Sequence, residues 1–380
     1  RNRERGRRMN ALGIVFSNIR DKNVAEITKN RIMSSVPFGG RYRLIDFVLS
    51  NMTNSGITKV GVITRHNYQN LMDHLGTGKA WDLARKRGGI QVLQPYVDDL
   101  EELVHMDNRL NTLKGIMYYL DKADEEYVIL SDCDIIHNIS YADILKEHKN
   151  NDADVTMVYK KHDKDATWNA KRPIFMLDEE GHVKKIKRSN STKKGDALYI
   201  GTMVMRKDFL KNHLLVANNK GYKTLLEYWS DNASHIKIDG YEFKEYYAYI
   251  DSLESYLASN LDLLDLKVRE ELFRKPYRPI YTSVNDSPAT TYGEDAVVEN
   301  SIIADGCIIN GTVKNSVIFR GVKIDKDAEI NNCVIMQDSI IGVNATLSHI
   351  VTDKNVFIGD DRTLCGHDTH PFFIEKGSII

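Results

Sequence analysis

The strongest constraint on the fold is a run of near-copies in the last quarter of the chain. The copies begin 15, 17 and 16 residues apart and read Asn300-Ser-Ile-Ile303, Asn315-Ser-Val-Ile318, Asn332-Cys-Val-Ile335 and Ser348-His-Ile-Val351. Within them hydrophobic residues recur at every sixth position, at Ile318, Ile324 and Ile330 and then at Ile335, Ile341 and Leu347. Neither a helix, which repeats about every 3.6 residues, nor a half-buried strand, which repeats every two, explains this period. The pattern predicts a hexapeptide parallel β-helix. A β-sandwich with short strands and Asn, Asp or Gly turns is the alternative.

The first two thirds of the chain have another pattern, in which strand-like and helix-like segments alternate. Apolar or β-branched runs at Ala11–Phe16, 57–64, 127–130 and 155–159 predict buried strands. Residues 43–54 have helical periodicity, and Gly56 follows where a left-handed cap is expected. Its apolar face would comprise Ile45, Phe47, Val48 and Met52. Such alternation predicts an α/β fold with a doubly wound, mostly parallel, Rossmann-like sheet. Ligands then bind beyond the carboxyl ends of the strands.

Length and the change of pattern predict two domains. A chain of 380 residues exceeds one typical domain. We expect a tag or disordered extension at 1–8, an α/β domain at 9–270, a linker at 271–290 and a β-helix at 291–380. The linker contains Pro276 and Pro279. The first eight residues are basic, so an anion-binding arm is the alternative for them.

Charge and cysteine usage restrict the environment and the partners. The formal net charge is −1, which does not favour nucleic acid or a membrane surface as a partner. The four cysteines, Cys133, Cys307, Cys333 and Cys365, are far apart and contain no C-x-x-C pair. That spacing is typical of reduced cytoplasmic thiols. No apolar run reaches the roughly 18 residues that a membrane-spanning helix needs.

Four segments in the same order resemble the bacterial ADP-glucose pyrophosphorylases, the glucose-1-phosphate adenylyltransferases of glycogen biosynthesis. They are 36–56 (V-P-F-G-G-R-Y-R-L-I-D-F), 88–97 (G-G-I-Q-V-L-Q-P), 126–137 (E-Y-V-I-L-S-D-C-D) and 254–264 (E-S-Y-L-A-S-N-L-D-L-L). The resemblance implies a nucleotidyltransferase-like domain followed by a left-handed β-helix. It also implies a reaction of ATP with glucose 1-phosphate that gives ADP-glucose and pyrophosphate, with Mg²⁺ held by carboxylates.

The nucleotide-binding segments depart from the family pattern. The family has a glycine-rich phosphate loop where this chain has Ser17 to Val24 without any glycine. Glycine permits positive φ and close backbone approach to phosphate, so Arg20 and Lys22 could act there only as charges. A phosphate-facing family lysine falls on Met33. The family segment that meets the adenine nucleotide corresponds to 111–115, which reads N-T-L-K-G.

The metal and sugar positions are also altered. By the resemblance, Asp134 is the retained, vestigial catalytic and Mg²⁺-binding aspartate, with Asp132 as a neighbouring carboxylate. We expect it to hold Mg²⁺ weakly and only with substrate bound. Tyr249 stands at the second metal-binding aspartate, and Asp251, two residues on, would be displaced by about 7 Å along a strand.

Ser189 stands at the family's sugar-phosphate lysine, where Lys187 and Arg188 are out of register. Gly201 matches a family glycine, which indicates either a substrate-binding backbone or a tight packing point. Arg31, Arg43 and His74 align with or lie near the regulatory anion site of the family. Arginine suits phosphate because its fork donates two hydrogen bonds; structural ion pairs are the alternative.

Together these changes resemble the degenerate, regulatory GlgD-type subunit of the family, and the resemblance implies assembly with a catalytic GlgC-type subunit into a heterotetramer. Mg²⁺ would then be a cofactor of the partner, and a sugar phosphate or nucleotide a candidate ligand. Self-association is a further alternative. An active nucleotidyltransferase with a remodelled phosphate loop is the second interpretation. A β-helix acyltransferase is the third, disfavoured because the β-helix is the minor domain.

Overall fold

The computed structural model describes residues 9–17, 21–65, 67–96, 109–284 and 286–380. The helices of the first domain that it describes are α1 (Ala25–Thr28), α2 (Leu44–Asn54), α3 (Gln69–Leu75), α4 (Arg109–Gly115), α5 (Met117–Asp121), α6 (Tyr141–Asn150), α7 (Lys207–Asn219), α8 (Leu225–Asp231), α9 (Leu253–Leu261) and α10 (Leu266–Phe273). The strands are β1 (Ala11–Phe16), β2 (Pro37–Phe38), β3 (Tyr42–Arg43), β4 (Lys59–Ile63), β5 (Gly89–Leu93), β6 (Tyr127–Asp132), β7 (Ile135–His137), β8 (Val155–Lys161), β9 (Ala166–Leu177), β10 (Val183–Thr192), β11 (Ala197–Arg206), β12 (Ile238–Glu242) and β13 (Tyr247–Tyr249). Short 3₁₀ turns lie at Asp21–Val24, Met33–Ser35, Lys79–Trp81 and Asp262–Leu264.

The main sheet of the first domain has a parallel core with an antiparallel extension. Its order is β10-β9-β11-β6-β1-β4-β5, and β8 pairs with both β11 and β12. β1 runs parallel to β4 and β6, and β4 parallel to β5, as expected for a doubly wound sheet. β11 runs antiparallel to β6, which makes the whole sheet mixed. Phe16 pairs with Asp132, so the ends of β1 and β6 meet at one edge.

Helix α2 confirms the helix predicted from periodicity. The Asp46 carboxylate accepts a hydrogen bond from the Arg43 backbone N–H at 2.9 Å, which caps the helix start. Gly56 has φ of +79°, the left-handed conformation that ends the helix. The four apolar residues predicted to share a face are all fully buried, Ile45, Phe47, Val48 and Met52. Burial of its apolar face therefore fixes the position of α2, which connects β3 to β4 of the main sheet.

The last domain is the predicted left-handed β-helix, built from three sheets of five parallel strands. The sheets are Thr291–Tyr292, Ile308–Ile309, Lys323–Ile324, Ile340–Ile341 and Phe357–Ile358; Val297–Glu299, Thr312–Lys314, Glu329–Asn331, Thr346–Ser348 and Thr363–Cys365; and Ile302–Ile303, Val317–Ile318, Val334–Ile335, Ile350–Thr352 and Phe372–Ile374. The six residues of the six-residue period are all buried in one cluster, Ile318, Ile324, Ile330, Ile335, Ile341 and Leu347. Parallel pairing throughout rules out the β-sandwich.

The repeated asparagines explain how the coils turn. Asn300, Asn315, Asn332 and His349 occupy equivalent corners with φ of 42°, 46°, 53° and 53°. Asparagine tolerates this left-handed conformation better than most residues. The Asn300 amide also donates to Asn315 Oδ1 at 2.8 Å across adjacent coils. The asparagine at the start of each copy is therefore a corner residue.

The two domains share one hydrophobic core. Val317, Phe319 and Met336 of the β-helix belong to the same buried cluster as Phe38 and Leu44 of the first domain. Helix α10 ends at Phe273 and the first β-helix strand begins at Thr291. Among the described residues, none of the helices is long and apolar enough to cross a membrane. The four cysteines form no disulfides; Cys133, Cys307 and Cys333 are buried and Cys365 is exposed.

Candidate functional site

A cavity of about 230 Å³ lies at the edge of the main sheet, where β9, β10 and the end of β13 converge. Its described lining comprises Asn23, Arg109, Ala170, Lys171, Arg172, Pro173, Arg188, Thr224, Leu225, Leu226, Tyr249 and Asp251. Two predicted positions, Tyr249 and Asp251, therefore face the same space. The cavity holds four cationic side chains and one carboxylate, so its chemistry favours anions.

Arg172 of β9 occupies the centre of this site. Its Nη2 and Nε donate to Asp251 Oδ2 at 2.7 and 3.1 Å, and Arg172 and Asp251 are 5% and 8% exposed. The guanidinium carbon lies 4.1 Å from the ring centroid of Trp168 and 4.2 Å from that of Tyr249. These cation–π contacts and the ion pair fix the side chain on three sides. The charge of Asp251 is therefore matched by an arginine of the same chain.

Asp132, at the end of β6, is matched in the same way. Arg109 of α4 forms a short ion pair with Asp132 Oδ2 and donates from Nη1 to the Tyr199 hydroxyl at 3.2 Å. The guanidinium also lies 5.4 Å from the Phe16 ring centroid at the end of β1. Asp132 is 2% exposed, so this pair is shielded from solvent.

The described residues of the site do not fit a resident divalent cation held by two carboxylates. Such a cation takes oxygen ligands whose negative charge is available to it. Asp132 and Asp251 are each bonded to an arginine, and the aromatic side chain of Tyr249 stacks on Arg172. No cluster of three or more His, Cys, Asp or Glu side chains suited to a metal ion occurs in the described part of the chain. Arg109 and Arg172 therefore neutralise these two carboxylates.

Asp134 lies between β6 and β7 and is 3% exposed. Its backbone carbonyl accepts a hydrogen bond from the Ile250 N–H at 2.8 Å, which ties it to the end of β13. The cavity lining includes Tyr249 and Asp251 from this region but not Asp134. Its weak Mg²⁺ role stays a prediction.

Gly201 of β11 packs directly against Asp132. It has φ of +73°, and a Cβ there would lie 2.8 Å from Ile135 Cδ1 and 2.9 Å from Asp132 Oδ2. Of the two roles predicted for this glycine, the geometry favours the tight packing point.

Replacing Gly201 with alanine should lower the free energy of unfolding by about 2–4 kcal/mol, because strain at positive φ adds to a clash in a buried site. Urea denaturation measures the change. Gly195→Ala is the matched control, since Gly195 has φ of +91° and a Cβ there would meet no described atom within 4 Å; it should lose only about 1 kcal/mol. Equal losses in the two variants would contradict the packing role.

The remaining substrate positions divide into those that meet the cavity and those that do not. Arg188 of β10 lines it, although it is out of register with the family's sugar-phosphate lysine, so its role there stays a prediction. Ser189 pairs with Arg172 across the β9–β10 ladder. Met33 is buried in the core. Of the loop from Ser17 to Val24, Asn23 lines the cavity, whereas Arg20 and the side chain of Lys22 lie outside the described residues.

The three predicted effector residues lie near the boundary between the two domains. Arg31 is 4% exposed, and its Nη2 donates to both carboxylate oxygens of Asp353 in the β-helix at 2.6 and 2.9 Å. Arg43 donates from Nη1 to the Asn70 carbonyl. His74 Nε2 lies 2.5 Å from Asp46 Oδ1 and its ring packs edge-on against Trp81. Arg31 and His74 thus have structural partners, which is the alternative considered for them.

Lys354 adds a cation to this boundary that the sequence did not indicate. Burial, and then the charges of Arg43 and Arg31, lower the pKa of Lys354 to about 8. Burial is the largest cause of this lowered pKa, and the charges of Arg43 and Arg31 add to it while Asp353 opposes it. The position of Lys354 next to Asp353 in the β-helix is the sequence signal that could have suggested this cation.

Comparisons with known proteins agree with both domains. A nucleotidyl transferase family model matches residues 22–168, and a model of the GlmU-like C-terminal hexapeptide matches residues 288–371. The fold is therefore that of a nucleotidyltransferase with a hexapeptide-repeat domain.

Similarity to individual proteins narrows this class. The chain is 32% identical over 371 residues to the glycogen biosynthesis protein GlgD of Bacillus subtilis strain 168, covering 97% of this chain and 96% of that protein. It is 34% identical over 318 residues to a glucose-1-phosphate adenylyltransferase of Clostridium botulinum strain Eklund 17B, covering 81% and 80%. It is 30% identical over 340 residues to that of Acetivibrio thermocellus, covering 88% and 78%. The chain belongs to the ADP-glucose pyrophosphorylase family, and within it to the GlgD type.

Proposed function

We propose that this chain is a catalytically impaired regulatory subunit of glucose-1-phosphate adenylyltransferase, acting in glycogen biosynthesis in the cytoplasm. The observation that carries the proposal is the pairing of Asp132 with Arg109 and of Asp251 with Arg172. Tyr249 replaces the second of the two carboxylates that would hold Mg²⁺ on a transferring phosphate, and the neighbouring Asp132 and Asp251 are each engaged by an arginine. Loss of one such electrostatic contact costs about 10²–10³ in turnover, and several losses act together here.

Its partner, in this proposal, is a catalytic GlgC-type subunit with which it forms a heterotetramer. The β-helix offers exposed apolar side chains suited to such an interface, Tyr292, Val297, Val298, Ile308 and Phe357. Exposed apolar side chains that become buried between subunits stabilise an interface. Self-association through the same residues is the competing outcome.

The decisive experiment measures ADP-glucose formation by a catalytic subunit while this chain is titrated in. With ATP, Mg²⁺ and glucose 1-phosphate, this chain alone should give no turnover. The rate or substrate affinity of the partner should rise and saturate near equal stoichiometry. Substantial turnover by the chain alone would favour the alternative, an active nucleotidyltransferase with a remodelled phosphate loop.

We further propose that the regulatory site is an anion site at the domain boundary, to which Arg43 contributes its charge, with Arg31 and His74 as supporting groups. Lys354 supports this, because it is a further cation that Arg43 and Arg31 both influence electrostatically, although burial is the larger cause of its lowered pKa. Arg31 would have to share its guanidinium between an effector and Asp353.

Replacing Arg43 with alanine should raise the half-maximal concentration of a sugar-phosphate effector of the complex at least about tenfold, since a charge-assisted hydrogen bond contributes about 1.5–3 kcal/mol. Effector titration of the heterotetramer measures this. Arg41→Ala is the matched control, because Arg41 is an exposed neighbour that lies over the Tyr42 ring. An unchanged response in the Arg43 variant would contradict the site.

A further inference from the structure

The link between α10 and the β-helix contains a tight turn with an unsuitable residue in it. The Arg278 N–H donates to the Lys275 carbonyl at 3.2 Å, which closes the turn over Pro276 and Tyr277. Tyr277 has φ of +62°, in the left-handed region. Proline at the second position and a left-handed residue at the third are features of a type II β-turn, whose third position favours glycine or asparagine. A tyrosine there is strained, because its Cβ crowds the following carbonyl oxygen.

Contacts with the first domain hold this turn in place. Glu245 accepts a hydrogen bond from Lys275 Nζ at 2.6 Å and lies 3.6 Å from Arg278 Nη2. The Asn138 amide donates to the Arg278 carbonyl at 2.8 Å, and Arg278 Nη1 donates to the Asn138 carbonyl at 3.3 Å. The surrounding structure therefore maintains the strained conformation of Tyr277.

The Tyr277 side chain gives the fold nothing in return for this strain. It is 86% exposed, the highest value among the large apolar side chains of the described residues. It belongs to none of the buried clusters and makes no hydrogen bond or ring contact with another described residue. A glycine would remove both the strain and the exposed ring, so folding and solubility do not explain the tyrosine. Strain that is maintained in this way is typical of functional sites.

The shape of this feature indicates a macromolecular partner. Small ligands occupy concave sites, and the cavity at β9 and β10 has no described lining residue beyond Asp251 in the chain. An exposed ring on a turn instead needs a concavity that the partner supplies. Tyrosine is among the residues enriched in interface hot spots, and a rigid turn lowers the entropy cost of binding. Leu266 and Val284, before and after the turn in the chain, are exposed as well.

The charge beside the turn indicates what surrounds that concavity. Arg274, three residues before Tyr277, is exposed and forms no ion pair with a described residue. Lys275 and Arg278 share the single carboxylate of Glu245. A carboxylate at the rim of a protein pocket would complement this local excess of cations, whereas the net charge of −1 does not favour a polyanion such as nucleic acid.

We propose that the turn at 275–278 is a preformed anchor that inserts the Tyr277 ring into an acidic-rimmed apolar pocket of the catalytic subunit. The proposal rests on the proposed function, which supplies the partner. The exposed apolar residues of the β-helix begin at Tyr292, in the strand that follows the link. One interface can therefore include both the turn and the β-helix.

Biolayer interferometry of this chain on the immobilised catalytic subunit tests the anchor, with urea denaturation of the chain alone as the second readout. Tyr277→Gly should raise the Kd at least about tenfold and raise the urea midpoint, because glycine relieves the strain at positive φ. Tyr277→Phe should keep the Kd within about threefold, since the ring supplies most of the contact. Asp152→Gly is the matched control. Asp152 is exposed with φ of +47°, so this change relieves similar strain without removing a ring and should bind like the wild type.

Wild-type affinity in Tyr277→Gly would overturn the anchor and leave the proposed function intact. Weaker binding together with a lower urea midpoint would also overturn it, because a damaged turn would then explain the loss. A wild-type chain that does not bind the catalytic subunit would overturn both proposals. Sedimentation velocity of each chain alone completes the test: self-association that Tyr277→Gly abolishes would make a second copy the occupant, and the assignment to the catalytic subunit would be wrong.

Discussion

Replacing Arg31 with methionine should lower the free energy of unfolding by about 3–5 kcal/mol, because the change leaves the Asp353 carboxylate buried without its cation. The two side chains are 5% and 3% exposed and bonded at 2.6 Å across the domain boundary. Urea denaturation at neutral pH measures the loss. The double variant Arg31→Met with Asp353→Leu should recover most of it, since neither buried charge then remains.

A second ion pair across the same boundary provides the matched control. Lys29 Nζ lies 2.8 Å from Glu375, but the two side chains are 59% and 60% exposed. Exposed pairs contribute at most about 1 kcal/mol, so Lys29→Met should change stability little. If Arg31→Met costs no more than Lys29→Met, the domains do not depend on the buried pair.

The contact that Arg31 makes could not be predicted from the sequence. The resemblance places it near a regulatory anion site, and the anion it contacts is Asp353, which is 322 residues away in the chain. A partner so distant in sequence leaves no local pattern. Asp353 lies just after a β-helix strand, where the six-residue repeat predicts a coil position and nothing about the other domain.

Segments whose structure depends on local periodicity were predicted well. The six-residue period places the core of the β-helix, and the helical period with Gly56 places α2 to within one residue. Both patterns arise because one side of a regular element must be buried. The antiparallel extension through β8 to β11 was not predicted, because an apolar run does not reveal the direction of its neighbour.

From the sequence, the candidate site was predicted only as a set of family residues that this chain lacks. The resemblance identifies Tyr249 and Asp251 as altered positions, and both line the cavity. It does not identify Arg109, Trp168 or Arg172, which bring new cations and a new stacking surface from α4 and β9. Those contacts form between strands and helices far apart in the chain. Asp132 and Asp251 are carboxylates without a metal to hold. A search of the sequence for arginines that could pair with them is the step that could have found these contacts.

Acid should destabilise this protein well above the pH at which most carboxylates titrate, because of one histidine. His137 is 1% exposed, and burial lowers its pKa from 6.5 to about 4. Its Nδ1 lies 3.3 Å from the Asn51 amide nitrogen, and Asn51 Oδ1 accepts from the Ile139 N–H, which orients that amide as a donor. The neutral ring is the form that can accept this bond, and its Nε2 has no hydrogen-bond partner among the described residues.

A histidine whose pKa is lower in the folded state contributes stability above its unfolded pKa and loses it as the pH falls from 6.5 towards 4. The wild type should therefore lose about 2 kcal/mol of unfolding free energy between pH 7 and pH 5 through this group, and about 3 kcal/mol in total at lower pH. Urea denaturation at both pH values measures the slope. His137→Gln should lower stability at pH 7 but flatten the slope, whereas His235→Gln, at an exposed histidine, should leave it unchanged. A slope that persists in the His137 variant would mean that other groups cause the acid sensitivity, with His148 the next candidate because burial also lowers its pKa.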